Sequence, residues 1–185
     1  MVKRLGAQSV KSVFSWTLVT IFRPSVYERI RDNMKNVREF LESVAEIARD
    51  RNVFHSIEVQ GELLRCRARD VKEEAWYLVQ SQDGHWTVSL STPDRWLSES
   101  IETDLMHFGD PLEELIEEEL VELGSDFEVE PPKHFRSEQR EYVFVNKVPL
   151  LNDSLNADAS IVATWLLAYE AAFRNLGDMS GEEKD

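Results

Sequence analysis

The sequence predicts an α+β fold in which an antiparallel sheet is packed by helices mainly on one of its faces. Two observations indicate this architecture. Between residues 54 and 90, four short apolar segments follow one another with turn residues between them, as expected of a meander. Around them lie an N-terminal helix, a broken central helix and a C-terminal helix, and one or two later strands extend the sheet. At 185 residues, the chain has the size of one domain.

Residues 1–27 differ in character from the rest of the chain. They contain four basic residues and no acid, and residues 13–22 form an apolar run broken by hydroxyl side chains. That run is too short to span a bilayer as a helix, and no small-residue cleavage site follows it, so we expect neither a membrane anchor nor a signal peptide. Such a basic, apolar arm is a candidate for contact with a second subunit or, through residues 1–24, with a membrane surface.

A long helix is predicted from residue 28 to residue 50, after Pro24 and Ser25. Its apolar residues recur at alternating steps of four and three, which gives the helix one apolar face. These residues are Ile30, Met34, Val37, Leu41, Val44 and Ala48.

Four strands are predicted after this helix. Gly61 supplies permissive backbone in the first connection, and Asp83-Gly84 between two apolar runs is a strong hairpin signal. The predicted strands are Phe54–Gln60, Leu63–Arg69, Trp76–Ser81 and Trp86–Leu90.

The second predicted strand carries an arginine at every other position. Because side chains alternate along a strand, Arg65, Arg67 and Arg69 are predicted on one face, opposite an apolar face. They could bind an acidic partner segment through bidentate pairs with carboxylates. The alternative is that they pair with acids of the sheet itself. Those acids are Glu58, Glu73 and Asp83.

The C-terminal half is predicted to cover and extend the sheet. Gly109 breaks the central helix, and Asp110 is expected to cap its second part. A short strand is predicted at 127–130 and a loop from there to 139. The strand Tyr142–Val148 is apolar on both faces at first, which is typical of an interior strand covered on both sides. The last helix is predicted at 157–176, so the domain spans 28–177, and 178–185 form a charged tail.

The composition limits the possible partners. The net charge of −14 repels nucleic-acid backbones, so we expect no nucleic-acid partner. Cys66 is the single cysteine, which excludes an internal disulfide and a thiolate zinc cluster and fits a cytoplasmic protein.

No stretch of the sequence carries a catalytic motif. The four histidines do not pair with one another, or with Cys66, at ligand spacing, and there is no phosphate-binding glycine loop or dinucleotide fingerprint. The acids of Glu113–Glu122 are interpreted as a solvated helix face, because a straight helix spreads its carboxylates outward. We therefore predict no catalytic residue, no metal site and no cofactor.

A small-ligand sensor or an enzyme is the alternative interpretation. Its pocket would lie between the sheet and the C-terminal helix, with an aromatic lining. The same aromatic side chains also suit a packed core. They are Trp76, Trp86, Trp165 and Tyr169.

The order of helix, antiparallel strands, helix, short strands and helix resembles the YbjN family, whose fold is like that of type III secretion chaperones. The resemblance covers residues 28–177 and is carried by the first helix, by the aromatic hairpin from Trp76 to Val88, and by the closing unit from Tyr142 to Leu176. The basic arm, the extra strand in the meander and the loop after Phe127 depart from the family pattern.

This resemblance implies a binding or regulatory role without catalysis, often as a dimer. We therefore predict a chaperone-like or regulatory module that binds a partner polypeptide along a sheet edge or in exposed helix grooves.

Overall fold

The computed structural model describes residues 26–149 and 158–179, with the side chains of 35–149 and 158–179. The fold is α+β, as predicted. Its elements in chain order are α1 (Val26–Arg51), β1 (Ser56–Gln60), β2 (Leu63–Arg67), β3 (Trp76–Gln82), β4 (His85–Thr92), α2 (Arg95–Phe108), α3 (Leu112–Glu122), β5 (Lys133–Arg136), β6 (Tyr142–Lys147) and α4 (Ala159–Arg174).

The sheet is antiparallel, with the strand order β1-β2-β3-β4-β6-β5. The first four strands form the predicted meander, each paired with its neighbour in sequence. Asp83 and Gly84, which join β3 to β4, have φ of 51° and 79°, and two successive positive φ values are what the tightest hairpin turn requires. β6 lies beside β4, and β5 pairs with β6 at the outer edge.

One face of the sheet, called here the helix face, is covered by helices. Phe40 of α1 stacks on Trp86 of β4, with ring centroids 4.3 Å apart. Tyr169 of α4 donates a hydrogen bond to Asn146 of β6. These contacts involve every second side chain along the strands, and those side chains form the buried core of the sheet. Its apolar members are Leu64, Cys66, Tyr77, Val79, Trp86, Val88, Leu90 and Phe144.

The helices form two layers over this face. α4 lies directly on β3 and β4, beside α1, and α3 packs on α4. From Val162 to Phe173 nearly every side chain of α4 is buried, as expected of a helix enclosed on several sides. α2 lies near β4 and β5 on the same side, where the Oγ of its buried Ser98 is 3.3 Å from Nε2 of His134. All four described helices therefore lie on one side of the sheet.

The strand predicted at 127–130 is wrong, and the predicted loop contains β5 instead. The backbone N–H of Val129 donates to the carboxylate of Glu117 at 2.7 Å, so a helix side chain takes the place of a strand partner. All four side chains of β5 are exposed, so its sequence has none of the apolar alternation that marks a strand. The predicted cap is also wrong, because the N-cap of α3 is Pro111 rather than Asp110.

The ends of the domain differ from the prediction by a few residues. α1 begins at Val26, inside the predicted arm, and the remaining arm residues 1–25 lie outside the described residues. At the other end, Met179 is 2% exposed, so the packed unit continues two residues into the predicted tail. Residues 180–185 also lie outside the described residues. In the described part of the chain, no helix is long and apolar enough to cross a membrane.

Candidate functional site

The second face of the sheet, called here the open face, points away from all four described helices. Its side chains alternate with those of the helix face along every strand. Register places them in three rows across the sheet. The first row runs through Ser56, Arg67, Trp76, Ser91, Val143 and Phe135, the second through Glu58, Arg65, Leu78, Ser89, Val145 and Lys133, and the third through Gln60, Leu63, Gln80, Thr87 and Lys147.

A trough runs along β4 in the middle of the open face. Its floor consists of Thr87, Ser89 and Ser91, which are small and buried although no described helix lies over them. Larger side chains on β3 and β6 flank this floor. The backbones of β3 and β6 are two strand spacings, about 10 Å, apart.

The walls of the trough are apolar beside Ser89 and Ser91, and polar beside Thr87, where Gln80 and Lys147 flank the floor. Trp76 and Leu78 stand on the β3 side, and Val143 and Val145 stand on the β6 side, all half-buried. The sequence of β6 predicts a strand covered on both faces. The structure confirms that β6 is an interior strand, but the described helices cover only one of its two faces. Beyond β6, Phe135 is 47% exposed.

A groove lies at one end of the trough, between β6, β5 and Pro131. It has a volume of about 280 Å³. Pro131, Phe135 and Val145 give it apolar walls, and Lys133 and Lys147 stand at its rim. Glu130 also lines the groove and contributes the one carboxylate among its described lining residues.

A buried hydrogen-bond chain holds the groove wall in place. Tyr169 donates to Asn146 Oδ1, and Asn146 Nδ2 donates to the backbone carbonyl of Glu130. Burial raises the pKa of Tyr169 well above its ordinary value, so its hydroxyl keeps the proton that it donates. The core therefore fixes the backbone that carries Pro131.

Arg65 and Arg67 lie on the open face, as predicted. The guanidinium carbon of Arg65 is 4.2 Å from the ring centroid of Trp76, a cation–π contact. Arg67 is exposed beside it on β2. Among the described residues, the ion pairs within 4.0 Å involve neither of these arginines, nor Lys133 or Lys147.

Arg69 does not share this face, contrary to the prediction. β2 ends at Arg67, and beyond that residue the alternation of side chains no longer applies. Arg69 instead donates to Asn52 Oδ1 at 2.9 Å and to the backbone carbonyl of Phe54 at 3.0 Å. It lines a surface pocket of about 380 Å³ with Glu170 of α4. The period-two pattern therefore holds for two of the three arginines.

The carboxylates of the open face accept hydrogen bonds from neutral side chains. Glu58 accepts from Gln60 at 2.9 Å. Glu74 accepts from Nε1 of Trp76 on the β3 wall, and Glu141 accepts from Oγ of Ser91 at one end of the floor, both at 2.8 Å. The predicted pairing of the arginines with Glu58, Glu73 or Asp83 is not formed.

The four aromatic residues of the predicted ligand pocket are not brought together. Trp76 lies on the open face, and the other three lie in the core on the opposite side of the sheet. Trp86 is 2% exposed beneath Phe40, and Trp165 is 1% exposed with its ring 6.3 Å from that of Phe127. Tyr169 is fully buried. The Nε1 of Trp165 has no hydrogen-bond partner among the described residues.

His134 lies beside an aromatic ring and an acid, whereas Cys66 lies in the apolar core. His134 stacks on Phe144 with ring centroids 3.9 Å apart, and its Nδ1 is 3.5 Å from Glu102. Burial raises the pKa of Cys66 to about 12, so this thiol remains protonated. Within residues 26–149 and 158–179, no group of three or more His, Cys, Asp or Glu side chains is placed to hold a metal ion.

Comparison of the chain with protein-family models, curated proteins and solved structures gave no match. The chain is an α+β protein whose sheet has one face covered by helices and a second face over which no described helix lies. The resemblance to the YbjN family stays an interpretation of the sequence pattern.

Proposed function

We propose that this chain is a non-catalytic protein-binding module, chaperone-like or regulatory, that binds a segment of a partner polypeptide on its open face. One observation carries the proposal. Two interior strands, β3 and β6, present apolar side chains over which no described helix lies. Contiguous apolar surface rimmed by polar groups marks interaction sites on proteins.

The open face suits this role better than the edge of the sheet that β5 forms. Strand addition needs a long edge whose backbone groups are accessible. β5 has four residues and follows Pro131 and Pro132, and its ends carry Lys133 and Arg136. Short edges with proline and charge are the features that discourage pairing with another strand. The proposal therefore places the partner on the face of the sheet.

The alternative of a small-ligand pocket between the sheet and the C-terminal helix has less support. Its four aromatic residues lie on two sides of the sheet, and three of them are buried against other side chains. The sequence motifs of an enzyme are absent as well. The protein-binding role agrees with the resemblance to the YbjN family, and the single buried, protonated thiol agrees with a cytoplasmic setting.

Site-specific photo-cross-linking tests the proposal. The full chain carries benzoylphenylalanine in place of Leu78 on the open face or, as the control, in place of the exposed Glu114 on α3. We expect discrete cross-linked partner polypeptides from position 78 and none of them from position 114. The same bands at both positions, or none at position 78, would refute the proposal. Cross-links from position 78 to a second copy alone would make the open face a dimer interface and count against a separate partner.

A further inference from the structure

We infer that the groove beside Pro131 binds the C-terminal residue of the partner polypeptide, a bulky apolar residue with a free α-carboxylate. This inference rests on the proposed function and specifies which part of the partner reaches this end of the open face. It follows from the open volume of the groove, from the two lysines at its rim and from the one carboxylate in its described lining.

The groove is an open volume, unlike the middle of the open face. Ser89 and Ser91 in the middle of that face are buried, whereas the groove holds about 280 Å³ between β6, β5 and Pro131. This volume lies just below the range of about 300–1,000 Å³ that is typical of pockets for drug-sized ligands. The groove therefore has room for one bulky residue and not for a whole segment of a partner.

Two lysines of neighbouring strands stand at the rim of the groove. Lys133 of β5 pairs with Val145 of β6, so Lys147 is its diagonal neighbour, about 7–8 Å away. Both side chains are exposed, and neither forms an ion pair within 4.0 Å with a described residue. Two ammonium groups at this spacing repel each other, and a carboxylate that lies between them is attracted to both. An anionic group is therefore complementary to this rim.

Glu130 limits which anionic group fits. Its carboxylate lines the same groove and forms no ion pair within 4.0 Å with a described residue. The described lining thus carries two positive charges and one negative charge, a net charge of +1. That balance suits a single carboxylate and disfavours a group with several negative charges, such as phosphate. The carboxylate of Glu130 is also an acceptor for an N–H group of the ligand.

A C-terminal apolar residue carries all three complementary groups on one α-carbon. Its carboxylate matches the two lysines, and its amide N–H matches the carboxylate of Glu130. Its side chain matches the apolar walls of the groove, which are Pro131, Phe135 and Val145. A residue inside a polypeptide lacks the α-carboxylate, and an Asp or Glu side chain lacks the apolar group. Capture of a terminal carboxylate is a recurring mode of peptide recognition.

The surroundings of the groove favour a polypeptide end over a free amino acid. Val145 belongs both to the groove and to the β6 wall, and it shares a register row with Leu78 across β4. Residues that precede the terminal one can therefore continue over apolar surface that a free amino acid would leave uncovered. The hydrogen-bond chain from Tyr169 fixes the carbonyl of Glu130, so the groove exists before binding, which lowers the ordering cost of association.

Titration of the isotope-labelled full chain with four ligands, followed by amide chemical shifts, tests the inference. The first is a short acetylated alanine peptide that ends in leucine with a free carboxylate. The second is the same peptide with a C-terminal amide, the third ends in serine with a free carboxylate, and the fourth is free leucine. Each is raised to about 10 mM, so that a Kd of about 1 mM is detected. We expect the first to shift the amides of Lys133, Val145 and Lys147, and the second and third to bind at least about tenfold more weakly, since each lacks one complementary group.

A pair of charge-matched variants locates the contribution of the lysines. Lys133→Gln/Lys147→Gln removes two charges from the rim of the groove, and Lys35→Gln/Arg38→Gln removes two exposed charges from α1. We expect the first variant to bind the free-acid leucine peptide at least about tenfold more weakly and to lose its preference for the free acid over the amide. The second should change binding by less than about threefold. Equal losses in both variants would show a general charge effect and overturn the inference.

The remaining outcomes separate this inference from the proposed function. If the amidated peptide binds as tightly as the free acid, or if no peptide shifts the groove while position 78 still cross-links to partner polypeptides, the terminal residue is overturned and the protein-binding role stands. If no peptide binds and position 78 gives no cross-link, both fall. Free leucine that binds as tightly as the leucine peptide assigns the groove to a small molecule. A concentration-dependent mass that Lys133→Gln/Lys147→Gln abolishes assigns it to a second copy, and nuclear Overhauser contacts from the Val145 methyls to residues 1–25 assign it to this chain's own arm. Each of these three results overturns the inference.

Discussion

The two faces of the sheet are built from the same strands and differ in nearly every other respect. On the helix face, large apolar side chains are buried under α1 and α4. On the open face, the same strands carry small hydroxyl residues, half-buried apolar walls and cations that form no ion pair with any described residue. Because side chains alternate along a strand, one face can supply the stability of the fold while the other is free for recognition. Substitutions on the two faces should therefore have different consequences.

The largest expected difference is between two tryptophans of adjacent strands. Trp86→Ala removes a side chain that is 2% exposed and stacked on Phe40, so we expect the free energy of unfolding to fall by about 3–5 kcal/mol. Trp76→Ala on the open face should cost about 1 kcal/mol, because that ring is half-exposed. Denaturant unfolding monitored by circular dichroism measures both. Equal losses would mean that the open face contributes to the core.

The second prediction concerns the hydrogen-bond chain between α4 and the groove. Tyr169→Phe leaves the buried Asn146 Oδ1 without its donor, so we expect a loss of about 1–3 kcal/mol in the free energy of unfolding. The matched control is Tyr142→Phe, whose half-buried ring should change stability by less than about 0.5 kcal/mol. Since the same chain fixes Pro131, the first variant should also shift the amide signals of β5. Unchanged β5 signals would show that this hydrogen-bond chain does not hold the groove wall in place.

Arg69 and Arg67 should differ in their effects, with Arg69 contributing to stability and Arg67 to binding. Arg69→Ala removes hydrogen bonds to Asn52 and Phe54, so we expect a loss of about 1.5 kcal/mol in stability. Arg67→Ala on the open face should change stability by less than about 0.5 kcal/mol and lower the yield of cross-linked partner polypeptide from position 78. The measurements are denaturant unfolding and the photo-cross-linking yield. Equal effects of the two variants on stability and on binding would support the sequence-based prediction that all three arginines share one face.

The smallest expected effect is a loss of stability at alkaline pH that is caused by Cys66 on the helix face. The pKa of Cys66 is raised from 9.0 to about 12 in the folded chain, whereas the unfolded thiol ionises near its ordinary value. The unfolded state therefore binds fewer protons above pH 9, so stability falls as pH rises through 9 toward 12. Between pH 8 and 10 we expect this thiol to contribute a loss of about 1 kcal/mol. Denaturant unfolding at both values should show a smaller loss in Cys66→Ala. Parallel losses in the two proteins would place the alkaline effect elsewhere.

Much of the fold follows from local sequence signals. The meander is marked by alternation and by Gly61 and Gly84, and both glycines adopt the positive φ that their turns require. The alternation also predicts that Cys66 is buried while Arg65 and Arg67 face outward. β5 could not be predicted, because an exposed four-residue edge strand has no apolar periodicity to distinguish it from a loop.

The candidate site was predicted in part. The positions of Arg65 and Arg67 on the open face are predicted correctly. The position of Arg69 is not, because the end of a strand depends on backbone pairing and the alternation of side chains does not show where β2 ends. Lys133 and Lys147 were missed because their positions depend on the insertion of β6 between β4 and β5, which is a tertiary feature. The sequence of β6 does indicate the apolar character of the open face, because a strand that is apolar on both faces is expected to be covered on both.

The position of β6 also sets the order in which the chain can complete its sheet during synthesis. The turn of the β3–β4 hairpin joins neighbouring residues, whereas Thr92 of β4 meets Tyr142 of β6 across about 50 residues. When β1 to β4 have emerged from the ribosome, β4 is an unprotected edge, and it remains one until β6 is made. One wall of the trough is thus produced late in translation, and the open face is complete only when β6 has paired with the exposed edge of β4.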